Sequence, residues 1–444
     1  MMQFNSIGFL FCFLPLFLFL YYWGNCKIQT AVLIIGSLLF YGLSSGENYW
    51  WVLLLVIITG ITYPIQLRLG KAKHSGLFIF WISMLCGILI FLKLYHSGEY
   101  LPAGVSFYIF QIVAVLTDIR NAKIPPYQNT SSFFRDVVMF PKLLSGPLMV
   151  PDSMQKLPRR AVFSFQNIHD GLQMLILGLS LKVILANNLG GLWSQPSVIG
   201  YQHISTAAAW MAIIAFTLQL YLDFYGYSLM AMGIGKMLGF DLPANFLEPY
   251  SARSVSEFYR RWHATLGIWF KQYVYIPLGG NRKGMARTLF NIAAVWLFTG
   301  FWHGTGGNYL LWAGFLCFLI INERLWLGKL LEKSRVLSHI YVIVAIVLSW
   351  VPFAIGDWSS MVLFLGRLFG QMGTALNPKE YLLWLDMYKW LLLGSVFVTT
   401  PLPGILWSRL KHSLWADLLV FGLFWVVVYF LATATQNPFL YFQY

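Results

Sequence analysis

Apolar runs of near membrane-spanning length recur from one end of this sequence to the other, and no other feature narrows its fold so far. They lie at 7–23, 28–43, 50–66, 77–95, 103–117, 168–190, 205–240, 288–302, 308–326, 337–356, 389–407 and 414–434. A helix needs about 20 predominantly apolar residues to cross a hydrocarbon core of roughly 30 Å, so eight to twelve crossings are expected. Charged residues make up 10% of the 444 positions, against about 25% in an ordinary soluble domain. The sequence therefore reads as an all-α, polytopic protein of the cell membrane. No linker or low-complexity tract divides it, and residues 1–444 are treated as a single membrane domain. No basic residue precedes the first run and no small-residue cleavage pattern closes it, so that run is expected to be a retained helix.

A net charge of +14 would suggest a nucleic-acid partner in a soluble protein. Here the cations fall in short segments between runs: Lys27, 68–73, 120–123, 323–335 and 409–411. By the positive-inside rule, Lys27 and 68–73 are cytoplasmic and both the N-terminus and the C-terminus lie outside. Membrane lipid with anionic head groups accounts for the charge, and nucleic acid is excluded as a partner. Cys12, Cys26, Cys86 and Cys317 are scattered without metal-ligand spacing, so no metal site is expected.

One break between runs carries an ionisable group. It reads Thr299-Gly300-Phe301-Trp302-His303-Gly304-Thr305-Gly306-Gly307-Asn308. Flanking helices over 288–303 and 308–322 would rise only about 22 and 21 Å, short of a core of roughly 30 Å. His303 is thus expected at membrane depth. A titratable side chain there is costly and usually faces a cavity or a partner, which marks it as a functional candidate. The least hydrophobic stretches, 120–158 and 241–287, are amphipathic and interrupted by proline. Such backbone is tolerated at membrane depth only when buried in protein or lining a wet cavity. The expected architecture is a ring of tilted helices around a thin central region holding short and re-entrant helices. A further irregular segment, 356–388, reads as an extracytoplasmic interfacial helix pair.

Within 241–287, Glu257-Phe258-Tyr259-Arg260-Arg261-Trp262-His263 is followed by more cations up to Arg282. Arg260, Arg261 and Arg282 would form a basic cytoplasmic face able to hold phosphate or lipid head groups. Interfacial helices with no ligand carry the same pattern. His263 either points inward toward His303 or is a hydrogen-bonded structural residue. Asp223 is a lone carboxylate in an apolar run and must be paired, protonated or wet. An ion pair with an arginine of the 260–261 region is the favoured reading, and orientation of an imidazole is the other. Trp302 and Asn308 complete the candidate site residues. No Walker sequence, GxSxG elbow or voltage-sensor array is present. Two histidines, aromatic residues and a basic face suggest a transferase that takes its donor from the cytoplasm and uses imidazole as a general base.

Several segments, in this order, resemble the membrane-bound O-acyltransferase family and its bacterial branch of alginate O-acetylation membrane subunits. They are Leu101-Pro102-Ala103-Gly104-Val105-Ser106-Phe107-Tyr108-Ile109-Phe110-Gln111, Phe140-Pro141-Lys142-Leu143-Leu144-Ser145-Gly146-Pro147, and Leu181-Lys182-Val183-Ile184-Leu185-Ala186-Asn187-Asn188-Leu189. Asp223-Phe224-Tyr225-Gly226-Tyr227, Arg260-Arg261-Trp262-His263, Tyr275-Ile276-Pro277-Leu278-Gly279-Gly280-Asn281-Arg282, Trp302-His303-Gly304 and Asn437-Pro438-Phe439-Leu440-Tyr441-Phe442 follow. The resemblance implies that His303 matches the family's essential histidine and His263 a second histidine beside the catalytic tunnel. It also implies a cytoplasmic mouth for an acyl thioester such as acetyl-CoA, with no other cofactor. The extracytoplasmic exit would deliver the group to an exported polysaccharide or to an SGNH-type acetyl-transfer protein. Tyr225 and Leu229 depart from the family's usual serine and acidic residue, which bears on the acceptor and the partner.

On this reading His303 either deprotonates an acceptor hydroxyl or relays the acyl group, with His263 assisting and Arg260, Arg261 and Arg282 holding the donor. Two alternatives stand beside it. One is a D-alanyl transferase for teichoic acids, from a related branch. The other is a non-enzymatic transporter or flippase, for which broken helices and Asp223 would be natural but which calls for matching interruptions in two halves.

Overall fold

The computed structural model describes residues 2–71, 75–95 and 104–433. Leu101 to Ala103, residues 72 and 73 of the cationic 68–73 segment, the 437–442 ending and the C-terminus lie outside the described residues. Regular structure among the described residues is entirely helical. The first eight helices are α1 Leu14–Trp23, α2 Cys26–Ser44, α3 Trp51–Lys71, α4 Ser75–Tyr95, α5 Val105–Arg120, α6 Thr130–Val138, α7 Phe140–Leu143 and α8 Pro151–Gln155. The middle of the chain forms α9 Phe165–Ser180, α10 Asn187–Ile199, α11 Thr206–Met237, α12 Val255–Arg261, α13 Ala264–Phe270 and α14 Gly284–His303. The remainder forms α15 Gly307–Asn322, α16 Gly328–Leu331, α17 Arg335–Ala354, α18 Trp358–Leu368, α19 Glu380–Thr399, α20 Leu402–Leu410 and α21 Leu414–Thr433. Single π-helical turns over Leu181–Ala186 and Glu323–Leu327 join α9 to α10 and α15 to α16 without a break. Nine helices among the described residues are long and apolar enough to cross a membrane.

Helix α11, 32 residues and thus about 48 Å long, is the axis of the structure. Its most extensive partner is α9, and glycines seven residues apart explain why. A Cβ at Gly226 would come within 2.6 Å of the Gly178 carbonyl, and one at Gly233 within 2.5 Å of the Gly171 carbonyl. Without side chains at those four positions the two backbones approach directly, the usual route to tight helix pairing in lipid, where burial of apolar surface gives no drive.

The short helices α6–α8 lie inside this frame. Phe133, Val138, Phe140 and Leu143 are buried, and the Phe140 N–H donates to Ser37 Oγ at 3.0 Å. Irregular backbone is thus enclosed by protein, as its polar groups require. Arg135 and Asp136 pair at 2.6 Å in the same region, and Tyr127 donates to Asp136 at 3.1 Å.

Three boundaries correct the expectations from hydropathy. Helix α14 starts at Gly284 rather than Thr288 and rises about 30 Å over 20 residues. The next helix continues to Leu331 as a 25-residue span. His303 therefore closes a 20-residue helix, which is not one of the nine apolar spans, instead of lying between two short ones. The cause is that Met285, Ala286 and Arg287 are good helix formers although the turn is not apolar. In the third case, 356–388 holds one short helix, α18, while Tyr388 falls inside the long helix α19. Pro401 then splits the 389–407 run into α19 and α20.

Candidate functional site

Helix α12 begins at a well-capped end. The Ser254 hydroxyl accepts from the Glu257 N–H at 3.0 Å, and the Glu323 carboxylate accepts from the Val255 and Ser256 N–H groups at 2.6 and 3.0 Å. A carboxylate at a helix N-terminus meets both its orphan donors and its dipole. After Trp262 the chain turns through His263, whose φ of 46° and ψ of 48° are left-handed. Histidine visits this region more readily than most side chains, yet such a backbone costs of order 1–3 kcal/mol. The flanking peptides hold it there. The Leu247 N–H donates to the Arg261 carbonyl at 3.0 Å and the Ala264 N–H to the Asn245 carbonyl at 2.8 Å. The imidazole then meets Asn245 Oδ1 at 2.9 Å through Nδ1, and the edge of the Phe224 ring at 4.8 Å between centroids.

His303 approaches from the other side. Its ring lies among Trp302, Trp312 and Phe353, with centroids at 4.5, 4.9 and 5.2 Å. The chain leaves through Gly304, where a Cβ would collide with the Tyr309 ring. The carbonyl of Trp302, in the last turn of α14, accepts from the Lys93 ammonium of α4. The Trp302 ring also touches His263 at 6.4 Å, so one indole borders both imidazoles.

Both histidines line a cavity of about 430 Å³. One wall is a single face of α14: Ile292, Val295, Trp296, Thr299 and His303. At the helical rise these eleven steps extend about 16 Å. Gly280 links Tyr275 to Asn291, donating its N–H to the Tyr275 carbonyl and accepting from Asn291 Nδ2 at 2.8 Å. Tyr275 and Lys271 therefore mark the end of the slot remote from His303, and Arg260 lines it as well. Trp312, Trp350 and Phe353 form the aromatic wall.

The other sequence candidates are placed as follows. The Arg261 guanidinium binds Glu257 Oε1 at 2.6 Å and Ser251 Oγ at 2.5 Å, clamping the 247–251 turn, and does not line the cavity. Arg282 is exposed in the turn before α14 and lies outside the lining. Asn308 donates to the Pro352 carbonyl at 3.1 Å, tying the turn after His303 to α17. Asp223, only 1% exposed, pairs with Lys182 at 2.5 Å. This corrects the expected pairing with Arg260 or Arg261. The π-helical turn after α9 carries Lys182, which also donates to Asn187 Oδ1 at 2.8 Å, and the Gly178–Gly226 contact brings that turn against Asp223. Sequence reasoning missed Lys93, although it is the lone charge in the 77–95 run. Asn245 and Thr265 gave no comparable signal.

An aromatic slot that leads from basic residues to two imidazoles, inside an all-helical membrane protein, fits a membrane-embedded group-transfer enzyme. Comparison with known proteins gives the family. Residues 133–365 match MBOAT, the membrane-bound O-acyltransferase family, and the chain belongs to it. It is 29% identical to a probable alginate O-acetylase of Pseudomonas putida over 100% of both chains. It is also 29% identical to a peptidoglycan O-acetyltransferase of Helicobacter pylori, over 84% of this chain and 81% of that one. A teichoic acid D-alanyltransferase of Streptococcus thermophilus is similar at 23% identity over 71% of this chain and 81% of its own. The protein is thus a multi-pass membrane acyltransferase.

Proposed function

We propose that this acyltransferase takes an acetyl group from a cytoplasmic thioester such as acetyl-CoA. It passes the group across the membrane to an exported polysaccharide or to an SGNH-type extracytoplasmic acetyl-transfer protein. The observation that carries the reading is the slot running along one face of α14 from Lys271 and Tyr275 to His303. Arg260 and Lys271 suit the phosphates of the donor, and the apolar wall suits its slender thioester arm. Positive-inside placement of the Lys27 and Arg68 segments supports a basic end that faces the cytoplasm. Relatives named for O-acetylation of alginate and of peptidoglycan support an acetyl group and a glycan acceptor.

In the proposed reaction the acceptor hydroxyl oxygen attacks the thioester carbonyl while the His303 imidazole takes its proton. The carbon–sulfur bond breaks, and the departing thiolate recovers a proton from the imidazolium. His263, on the same cavity, assists. Trp302 holds both rings in place, and Asp223 maintains the frame through Lys182.

Proteoliposomes supplied with labelled acetyl-CoA on one face test the reading. Thioester consumption with label recovered on an acceptor at the opposite face is expected. Consumption of a D-alanyl carrier thioester instead would reassign the chain to the teichoic acid branch. Movement of an unmodified solute without thioester turnover would overturn the reading.

A further inference from the structure

The second histidine of the cavity ends a chain of hydrogen bonds whose direction can be read one proton at a time. The Leu148 N–H can only donate, and it donates to Thr265 Oγ1 at 3.1 Å. The single hydroxyl proton of Thr265 then goes to Asn245 Oδ1 at 2.8 Å. At the other end of the amide, Asn245 Nδ2 donates to Ser228 Oγ at 3.3 Å. In the structure Asn245 turns its oxygen toward Thr265 and His263 and its amide nitrogen toward Ser228. Asn245 itself is only 1% exposed, so solvent does not reorient it. His263 Nδ1 lies 2.9 Å from that same oxygen. An amide oxygen only accepts, so Nδ1 carries the proton and the basic lone pair of the neutral ring is on Nε2.

We propose that Asn245 is a positioning residue that holds His263, a residue of the cavity lining, as the Nδ1–H tautomer, so that Nε2 is the proton-accepting nitrogen of the ring. This deepens the acyltransferase reading and rests on it. The backbone of Asn245 contributes too, since its carbonyl takes the Ala264 N–H and fixes the left-handed turn at His263. Phe107, Phe224 and Trp302 surround the ring, and the titratable side chains that share its cavity are Tyr259, Arg260, Lys271, Tyr275 and His303. Asn245 thus decides which nitrogen carries the proton.

Three near-isosteric or apolar variants test this in the full-length protein. Asn245→Leu removes the acceptor and should lower kcat about 10²-fold or more, the scale of a mis-set tautomer, with donor KM little changed. Asn245→Asp keeps an acceptor oxygen and adds a negative charge that favours imidazolium. It should recover most of kcat at its own optimum while moving the acidic limb of the pH profile upward by about one unit. Thr265→Val removes the hydroxyl that orients the amide and should cost about tenfold. Nitrogen-15 spectra of histidine-labelled protein, with His263→Gln to assign the resonance, should show Nδ1 protonated in the parent and a tautomer mixture in Asn245→Leu. An Nε2–H resonance for His263 in the parent, or a pH profile unchanged in Asn245→Asp, would overturn the proposal. Because the spectra need no turnover, they decide the tautomer even if acetyl transfer itself is not found.

Discussion

Two of the ionisable sites within this apolar chain differ in what surrounds them. Lys182 and Asp223 meet at 2.5 Å between α9 and α11, both almost fully buried, where glycines have let the helices close. His263 and His303 instead border a cavity walled by aromatic rings. The first site has a counter-charge between closely packed helices; the second has space. A buried charge answered by its opposite holds helices together, whereas a titratable ring facing a cavity is placed to meet a ligand.

Substitutions can break this contrast, and His303→Ala should have the largest effect. Loss of its imidazole should lower acetyl transfer by about 10²- to 10⁴-fold, the range of general-base catalysis. Membrane abundance and melting temperature in detergent should stay near those of the parent. At the closed site the order reverses. Lys182→Met leaves Asp223 without its cation and should cost about 3–5 kcal/mol of stability, read as a lowered melting temperature, whereas the Lys182→Met, Asp223→Leu double variant should regain most of it. Gly226→Ala would press a methyl toward the Gly178 carbonyl and should cost about 1–3 kcal/mol in the same assay, with donor affinity unchanged.

The smallest effect belongs to Glu257, which pairs with Arg261 at 2.6 Å near the surface. Partial burial raises its carboxyl, but the Arg253 N–H and the Arg261 guanidinium outweigh that and hold it below the ordinary range. A depressed carboxyl contributes stability above the usual carboxylate range and loses it as pH falls through the depressed value. Glu257→Gln should therefore cost no more than about 1 kcal/mol near neutrality. The gap between parent and variant should close in acid.

Much of the architecture is legible in the sequence because hydropathy reports lipid exposure directly. The long helices, and the short ones at 130–155 and 255–270, follow from apolar runs and from prolines that break them. His303 is legible because a glycine-rich turn isolates one ionisable ring between two runs. Hydropathy does not show that α14 begins with a polar helical turn, so the helix that ends at His303 is expected to be shorter than it is. The partner of Asp223 was also misread, although Gly171 and Gly178, matched by Gly226 and Gly233, repeat at the same spacing. That repeat would have brought α9 against α11 and pointed to Lys182. Asn245 lay beyond sequence reasoning, because its role depends on protons shared among Leu148, Thr265 and His263, which meet only in the folded chain.

The most direct test of the contrast is a density map of the protein with a non-hydrolysable acetyl-CoA analogue. The account predicts phosphates near Arg260 and Lys271, the arm along the 292–303 face of α14, and the acyl carbon against the His303 ring. An analogue bound away from this slot, with His303 packed in a dry interior, would contradict it.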